Sequence, residues 1–272
     1  MGKHEAHKRI HDHTLANEDS VLTEERHNSN WLAEKVISFS KRRGDNLTRR
    51  QNAAILRYRT DSIFNLSKAD AHRTDEEVLA TYKILFDDLF FFGSLFPKCK
   101  TFLTYPSGRK KLLHGYTNCD EEFKLKWEFP FLQKHLEAEI TVCRSNEKRR
   151  RERLRNYLGT LLHEMIHAFL GIWGCRYKGC YNTWQRQGVR GHGHAWQDMA
   201  AAVEIAAADR DLLGLELDLG RLKNLAVDIV YEKRGLPLSE ELEKWDMRRE
   251  DVARICNEVE KQSLVTKLFG YR

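Results

Sequence analysis

One amphipathic segment, residues 151–172, constrains the fold of this chain more than any other part of the sequence. Its apolar residues recur at helical spacing, which predicts one buried side made of Leu154, Leu158, Leu161, Leu162, Met165 and Phe169. The sequence His163-Glu164-Met165-Ile166-His167 lies within this segment. Because positions i and i+4 share a helix face, the two imidazoles can converge on one cation. The segment therefore predicts a buried helix that presents two metal ligands.

Glu164 is the candidate general base of such a site. It lies about 100° around the helix axis from His163, so its carboxylate can reach a water molecule at the metal without being a ligand. A catalytic zinc takes three protein ligands and keeps one position open. In the metzincin pattern a glycine and a histidine follow His167 at three-residue steps, but Leu170 and Trp173 stand there instead. The third ligand must therefore come from elsewhere.

The segment Gly191-His192-Gly193-His194 is the natural source of that ligand, because its glycines let the backbone approach a metal closely. We expect His192 to bind the metal. His194 is a candidate for contacting substrate or stabilising an oxyanion, and the alternatives are a supporting role next to the metal ligands and a purely surface role. If the site followed the gluzincin plan, Asp198 or Glu204 would be the ligand instead.

These residues resemble the signature of the SprT-like family, which includes the Spartan-related zinc metallopeptidases. The resemblance lies in the sequence Leu161-Leu162-His163-Glu164-Met165-Ile166-His167-Ala168, followed by Gly191-His192-Gly193 and by Trp196. It implies an α+β, zincin-like domain in which a small β-sheet packs on the active-site helix. It also implies one catalytic Zn²⁺, with Glu164 as the catalytic residue and with three ligands, His163, His167 and His192.

The resemblance further implies a function. Animal members related to Spartan are DNA-dependent proteases that degrade proteins crosslinked to DNA, usually in the nucleus. We therefore expect hydrolysis of peptide bonds in a protein substrate, with single-stranded or damaged DNA as a partner and a nuclear or else cytoplasmic location. Two alternatives are a non-catalytic DNA- or chromatin-binding protein with a structural zinc, and a zinc peptidase that acts without nucleic acid.

The connection 174–191 is a candidate nucleic-acid contact. Many SprT-like proteins carry a cysteine-rich zinc subdomain after the metal motif, whereas here Cys256 is the only cysteine beyond His194. The connection has no acidic residue and mixes basic with aromatic side chains, which can neutralise phosphates and stack on bases. The residues expected to contact DNA or substrate are Arg176, Lys178, Tyr181, Trp184, Arg186 and Arg190. The alternative is a solvated lid whose aromatic residues pack on the domain. The function of Cys175 and Cys180, a disulfide or half of a second metal site, is open.

Four segments follow from the patterning. We predict a flexible polar arm over 1–30, a helical extension over 31–73, the SprT-like domain over 74–208 and a helical extension over 209–272. Within the domain, the order Thr-Asp-Glu-Glu at 74–77 predicts a capped helix start. Three short runs rich in β-branched and aromatic residues predict a small sheet, at 101–105, 112–116 and 139–143. Helices are expected over 31–39, 151–172 and 195–208, and a helix break at Gly235-Leu236-Pro237.

Composition and charge limit the class of protein. Charged residues make up 32% of the chain, and no apolar run is long enough to cross a bilayer, so we expect no membrane partner. The first residues lack the apolar stretch of a secretory signal, which predicts an intracellular protein. The net charge is +6, and residues 201–272 hold 12 basic and 15 acidic residues, so residues 1–200 carry +9. A negatively charged partner is therefore expected on the N-terminal two-thirds.

Overall fold

The computed structural model describes residues 22–24, 26–66, 73–96, 98–106, 114–119, 138–175 and 191–269, with side chains up to Gln262. In these ranges it contains eight α-helices and one three-stranded sheet, which confirms the α+β class. The helices are α1 (Ser29–Ser40), α2 (Arg49–Thr60), α3 (Asp75–Phe90), α4 (Arg150–Trp173), α5 (His194–Ala208), α6 (Arg221–Glu232), α7 (Ser239–Lys244) and α8 (Arg249–Phe269).

The sheet is mixed and small. Its strands are β1 (Cys99–Thr104), β2 (Gly115–Cys119) and β3 (Ala138–Cys143), in the order β1-β3-β2. The central strand β3 runs parallel to β1 and antiparallel to β2. All three predicted strands are present, but β1 begins two residues earlier than the run at 101–105, and β2 reaches three residues beyond the run at 112–116. Both shifts are small compared with the number of residues that separate one strand from the next in the sequence.

Helix α4 packs against β2 and β3 and forms the centre of the main core. The six residues predicted for its buried side are fully buried, which confirms the periodicity. Gly115 lets β2 come close to this helix. A Cβ atom at Gly115 would lie 2.5 Å from Cγ2 of Thr160 on α4 and 2.9 Å from the carbonyl oxygen of Thr141 on β3. The absence of a side chain at Gly115 therefore sets the spacing between the sheet and α4.

Helix α3 begins with the predicted capping box. Glu77 N–H donates to Thr74 Oγ1, and Thr74 N–H donates to the carboxylate of Glu77. At the other end the buried carboxylate of Asp87 accepts the backbone N–H groups of Leu95 and Phe96. These bonds satisfy donors in the turn that leads from α3 into β1, where no helix or strand partner exists for them.

The residues before α1 are packed against α4. Helix α1 begins at Ser29 with Asn28 as its N-cap, two residues before the predicted start. The His27 side chain is buried, and the His27 backbone pairs with the C-terminal end of α4: its N–H donates to Trp173 O, and its carbonyl accepts from Cys175 N–H. The last part of the segment expected to be a polar arm is thus attached to the domain, whereas residues 1–21 lie outside the described part.

Helices α6, α7 and α8 enclose a second apolar cluster that includes Ala226, Leu242, Trp245 and Val252. Ala201 of α5 belongs to the same cluster, so these C-terminal helices pack directly on the helix that follows the metal motif. Residues 233–238 separate α6 from α7, which confirms the predicted helix break. Among the described helices, none combines the length and the apolar composition that crossing a bilayer requires.

Candidate metal centre

Three histidines meet at one point between α4 and the turn before α5. The Nε2 atom of His163 lies 3.1 Å from Nε2 of His167 and 3.1 Å from Nε2 of His192, and the third separation is 3.2 Å. His192 is buried, and the other two histidines are half-buried. The structure therefore brings together the three residues that the sequence predicted as ligands, although two of them are separated by 25 residues.

This geometry fits one cation. The three Nε2 atoms form a nearly equilateral triangle, whose corners lie about 1.8 Å from its centre, so an ion can contact all three at Zn–N bond lengths of about 2.0–2.1 Å. Burial lowers the pKa of His163 to about 3 and holds the pKa of His167 well below its ordinary value. Both imidazoles are thus neutral at pH 7. A neutral imidazole whose Nδ1 carries the proton presents the lone pair of Nε2 to the centre of the triangle, as a metal site requires.

His163 is held in the correct tautomer by a backbone carbonyl. Its Nδ1 atom lies 2.8 Å from the carbonyl oxygen of Leu219, so Nδ1–H donates and Nε2 keeps its lone pair for a cation. Leu219 lies in the segment between α5 and α6, which the sequence analysis placed outside the catalytic domain. The C-terminal region therefore contributes directly to the surroundings of the three histidines.

His192 is positioned by the glycine-rich turn and by Trp196. Gly191 has a φ of +81°, which favours glycine, and a Cβ atom there would lie 3.2 Å from both Cε1 and Nδ1 of His167. The buried Trp196 indole stacks on the His167 ring and meets the His192 ring edge to face. The apolar indole covers one side of the histidine cluster and limits the access of water from that side.

Glu164 lies beside the cluster as a non-ligand carboxylate. Its Oε1 atom is 4.0 Å from Nε2 of His163, and its Oε2 atom accepts a hydrogen bond of 2.8 Å from the Thr117 hydroxyl on β2. Burial raises the pKa of Glu164 from its ordinary value of 4.5 to about 7, and the Thr117 hydrogen bond opposes that rise. A carboxyl group with a pKa near neutrality can both accept and return a proton at physiological pH.

The two acidic alternatives for the third ligand are engaged elsewhere. Asp198 accepts hydrogen bonds from Lys244 Nζ and from Trp245 Nε1. Glu204 accepts from the Leu219 backbone N–H and pairs with the guanidinium of Arg221. Because these contacts tie both carboxylates to the C-terminal region, His192 and not an acidic residue of α5 completes the cluster.

His194 contacts the C-terminal region as well. Its Nδ1 atom lies 2.9 Å from Oε1 of Glu241, and its ring packs against Trp245. About half of the side chain is exposed. This position shows a surface contact between α5 and α7, and no contact of His194 with the three-histidine cluster is present among the described residues.

The candidate nucleic-acid contacts lie outside the described residues. This applies to Arg176, Lys178, Tyr181, Trp184, Arg186 and Arg190, and it applies equally to Cys180. The interface predicted for the connection 174–191 therefore stays a prediction, and the function of Cys175 and Cys180 stays open.

Three groups near the cluster were missed by the sequence analysis: the Leu219 carbonyl, the Thr117 hydroxyl and the buried carboxylate of Asp228. The Leu219 carbonyl carries no side-chain signal at all. Thr117 looks like any polar residue of a half-exposed strand. Asp228 could have been noticed as an acidic residue on the apolar side of α6, between the buried residues Leu225 and Ile229.

Comparisons with protein-family models, with curated proteins and with solved structures found no match for this chain.

Proposed function

We propose that this protein is a zinc-dependent metallopeptidase of the SprT-like type, which hydrolyses peptide bonds in proteins that are bound or crosslinked to DNA. One observation carries the peptidase part of the proposal: three converging Nε2 atoms lie beside a buried carboxylate that is not a ligand. Structural zinc sites are closed by four protein ligands, whereas catalytic sites use three and leave one position open. Three ligand residues are found among the described residues, which favours the catalytic kind.

Zinc is the metal that the donor set favours. Imidazole nitrogens suit zinc, copper, iron and nickel, and hard cations such as Mg²⁺ and Ca²⁺ prefer oxygen ligands. A set of three histidines with one open position is a known arrangement of catalytic zinc. The low pKa of His163 supports metal binding in general, because a ligand that is neutral at pH 7 does not have to lose a proton before it binds.

When bound, zinc polarises the scissile carbonyl and lowers the pKa of water. Glu164 takes one proton from the attacking water as its oxygen adds to the carbonyl carbon, and it later passes that proton to the amide nitrogen as the C–N bond breaks. The Thr117 hydroxyl holds Oε2 of Glu164, which leaves Oε1 on the side of His163 to receive the proton. The products are a carboxylic acid and an amine, and Glu164 is regenerated.

The zincin-like fold is part of the proposal. The arrangement that supports it is a long helix carrying two ligands, packed against a small mixed sheet, with the third ligand in a turn before the next helix. The DNA part of the proposal is supported by the resemblance of residues 161–168 and 191–196 to the SprT-like signature. The +9 charge of residues 1–200 agrees with a polyanionic partner and with a nuclear location.

A cleavage assay with and without DNA tests the proposal. Wild-type protein with stoichiometric zinc is incubated with a DNA-binding substrate protein, alone, with single-stranded DNA, with duplex DNA and after crosslinking to DNA. We expect fragments that appear faster when single-stranded DNA is present. Cleavage that is independent of DNA would establish the zinc peptidase without nucleic acid. Zinc and DNA binding without any cleavage would establish the non-catalytic alternative.

Glu164→Gln is the matched control. The carboxamide keeps the size of the side chain and can still accept the Thr117 hydrogen bond, but it cannot take a proton. We expect this variant to retain one zinc per chain and to lose cleavage by a factor of about 10² to 10⁴. If Glu164→Gln cleaves as fast as wild type, Glu164 is not the general base and the proposed mechanism is wrong.

A further inference from the structure

A second buried carboxylate lies next to the histidine cluster, on the side of the Nδ1 atom of His192. Asp228 on α6 is 4% exposed, and its Oδ2 atom lies 3.8 Å from Nδ1 of His192. Neither carboxylate oxygen of Asp228 has a hydrogen-bond partner among the described residues, and the same holds for Nδ1 of His192. Three polar atoms without partners thus lie next to one another in the interior.

Such an arrangement is costly unless the atoms interact. Burial of a carboxylate without a hydrogen bond destabilises the folded state, and burial of an unpaired N–H donor does so to a smaller degree. One hydrogen bond from His192 Nδ1–H to Asp228 would satisfy both groups. The separation of 3.8 Å exceeds a hydrogen bond of about 2.7–3.2 Å, and a small rotation of the carboxylate or of the imidazole closes that difference.

We propose that Asp228 is a positioning residue for the metal centre, which fixes the tautomer and the orientation of His192 from the side of the ring opposite to Nε2. The inference rests on the proposed zinc site. Two of the three ligands would then have an outer partner: His163 has the Leu219 carbonyl, and His192 would have Asp228. Both partners come from residues beyond 208.

The effect on the metal has two parts. A carboxylate that accepts from Nδ1–H places the lone pair of His192 on Nε2, and it makes that nitrogen a stronger donor to a cation. The negative charge of Asp228 also attracts a dication in an interior of low dielectric constant. Removing such a partner of a ligating histidine lowers metal affinity by about 10- to 100-fold in other proteins.

Hydrogen bonds from α5 and to the residue after α7 hold α6 in this position. Nε2 of Gln197, a fully buried residue of α5, lies 3.3 Å from two carbonyl oxygens, that of His192 and that of Arg221 at the start of α6. The Arg221 guanidinium in turn donates to the carbonyl oxygen of Trp245 after α7. A displacement of α6 would therefore change the distance between Asp228 and His192, which connects the C-terminal helices to the metal centre.

Zinc affinity, measured by competition with a chromophoric chelator, tests the proposal. We expect Asp228→Ala to weaken zinc binding by about 10- to 100-fold. Asp228→Asn should fall between this variant and wild type, because its carboxamide oxygen still accepts from Nδ1–H but carries no charge. Ile229→Ala is the matched control, since it removes a buried side chain from the same helix and should leave zinc affinity unchanged.

A double-mutant cycle separates positioning from general destabilisation. In a His192→Ala background, Asp228→Ala should lower zinc affinity by a clearly smaller factor than in wild type, because the ligand is gone and only the attraction between the Asp228 charge and the dication remains. An equal loss in both backgrounds would overturn the proposal. The visible spectrum of the Co²⁺-loaded protein gives an independent readout: we expect Asp228→Ala to change the absorption bands and Ile229→Ala to preserve them.

These measurements are independent of peptidase activity. Zinc affinity that depends on Asp228 in a protein that cleaves nothing would uphold the positioning role and refute the proposed function. Normal cleavage together with unchanged zinc affinity and Co²⁺ spectrum in both Asp228 variants would refute the positioning role and leave the proposed function intact.

Discussion

Replacing Gly159 by alanine should destabilise the protein and weaken its metal binding, although glycine is a poor helix former. Gly159 lies in the middle of α4, where a change to alanine ordinarily stabilises a helix by about 1 kcal/mol. Here a Cβ atom would lie 2.5 Å from the carbonyl oxygen of Asp218. Because that oxygen belongs to the backbone, the contact is relieved only if the segment that contains Asp218 and Leu219 moves away from α4.

The magnitude follows from the competition between these two effects. Overpacking of a close contact costs about 1–3 kcal/mol, so after the gain of about 1 kcal/mol in helix propensity we expect a net loss of stability of up to about 2 kcal/mol. The displaced segment includes Leu219, whose carbonyl oxygen accepts the 2.8 Å hydrogen bond from His163 Nδ1. When that bond is weakened, we expect zinc affinity to fall by about tenfold, the lower end of the range for such partners.

Urea unfolding of the zinc-free protein and chelator competition of the zinc-loaded protein measure the two effects separately. Gly171→Ala is the matched control on the same helix, because its Cβ atom would meet Cys119 Sγ on β2 at 2.3 Å and not the segment before α6. It should lower stability and preserve zinc affinity. A Gly159→Ala protein that is more stable than wild type and binds zinc equally well would refute the packing of residues 218–219 on α4.

Two further changes test other parts of the structure. Gly191→Ala should weaken zinc binding in the same competition assay. A φ of +81° costs a residue with a side chain about 1–2 kcal/mol, and the new Cβ atom would lie in close contact with the His167 ring. Asp87→Asn tests a buried acid at the end of α3. Burial raises the pKa of Asp87 from 3.8 to about 6. The folded state therefore binds this proton more tightly than the unfolded state, and stability falls as the pH rises across that interval. Relative to Asp87→Asn, zinc-free wild type should lose about 2 kcal/mol of unfolding free energy between pH 3.8 and pH 6, measured by urea titrations. Equal pH dependence in the two proteins would contradict this prediction.

The elements that the sequence predicted are those with a local signal. Helix α4 was predictable because its apolar residues repeat at helical spacing, and the start of α3 because the Thr74–Glu77 capping box is a four-residue pattern. The β-strands were found by composition, and their ends were displaced by up to three residues. Strand ends depend on which residues of the neighbouring strand are available for pairing, and this information is not local.

The same distinction applies to the candidate site. His163 and His167 share one helix face, so their convergence follows from a four-residue spacing alone. His192 required an additional inference from its glycine neighbours, whose value the positive φ of Gly191 explains. The choice between His192 and the acidic residues Asp198 and Glu204 depended on the partners that those carboxylates find in the C-terminal region. Sequence patterns do not reveal such competition.

The groups that orient the ligands are the least predictable part of the site, and physical reasons explain this. A metal ligand must be one of a few residue types, whereas any backbone carbonyl or buried carboxylate can accept the proton of an imidazole. Leu219 lies 56 residues beyond His163, and Asp228 lies 36 residues beyond His192. Neither position belongs to a sequence motif. The imidazole requires only that an acceptor group lies nearby in the folded chain, and this does not depend on a short sequence pattern. The ligands of such a site can therefore be located from the sequence, whereas the groups that orient them, the Leu219 carbonyl and the proposed Asp228 carboxylate, come from a segment that carries no pattern of its own.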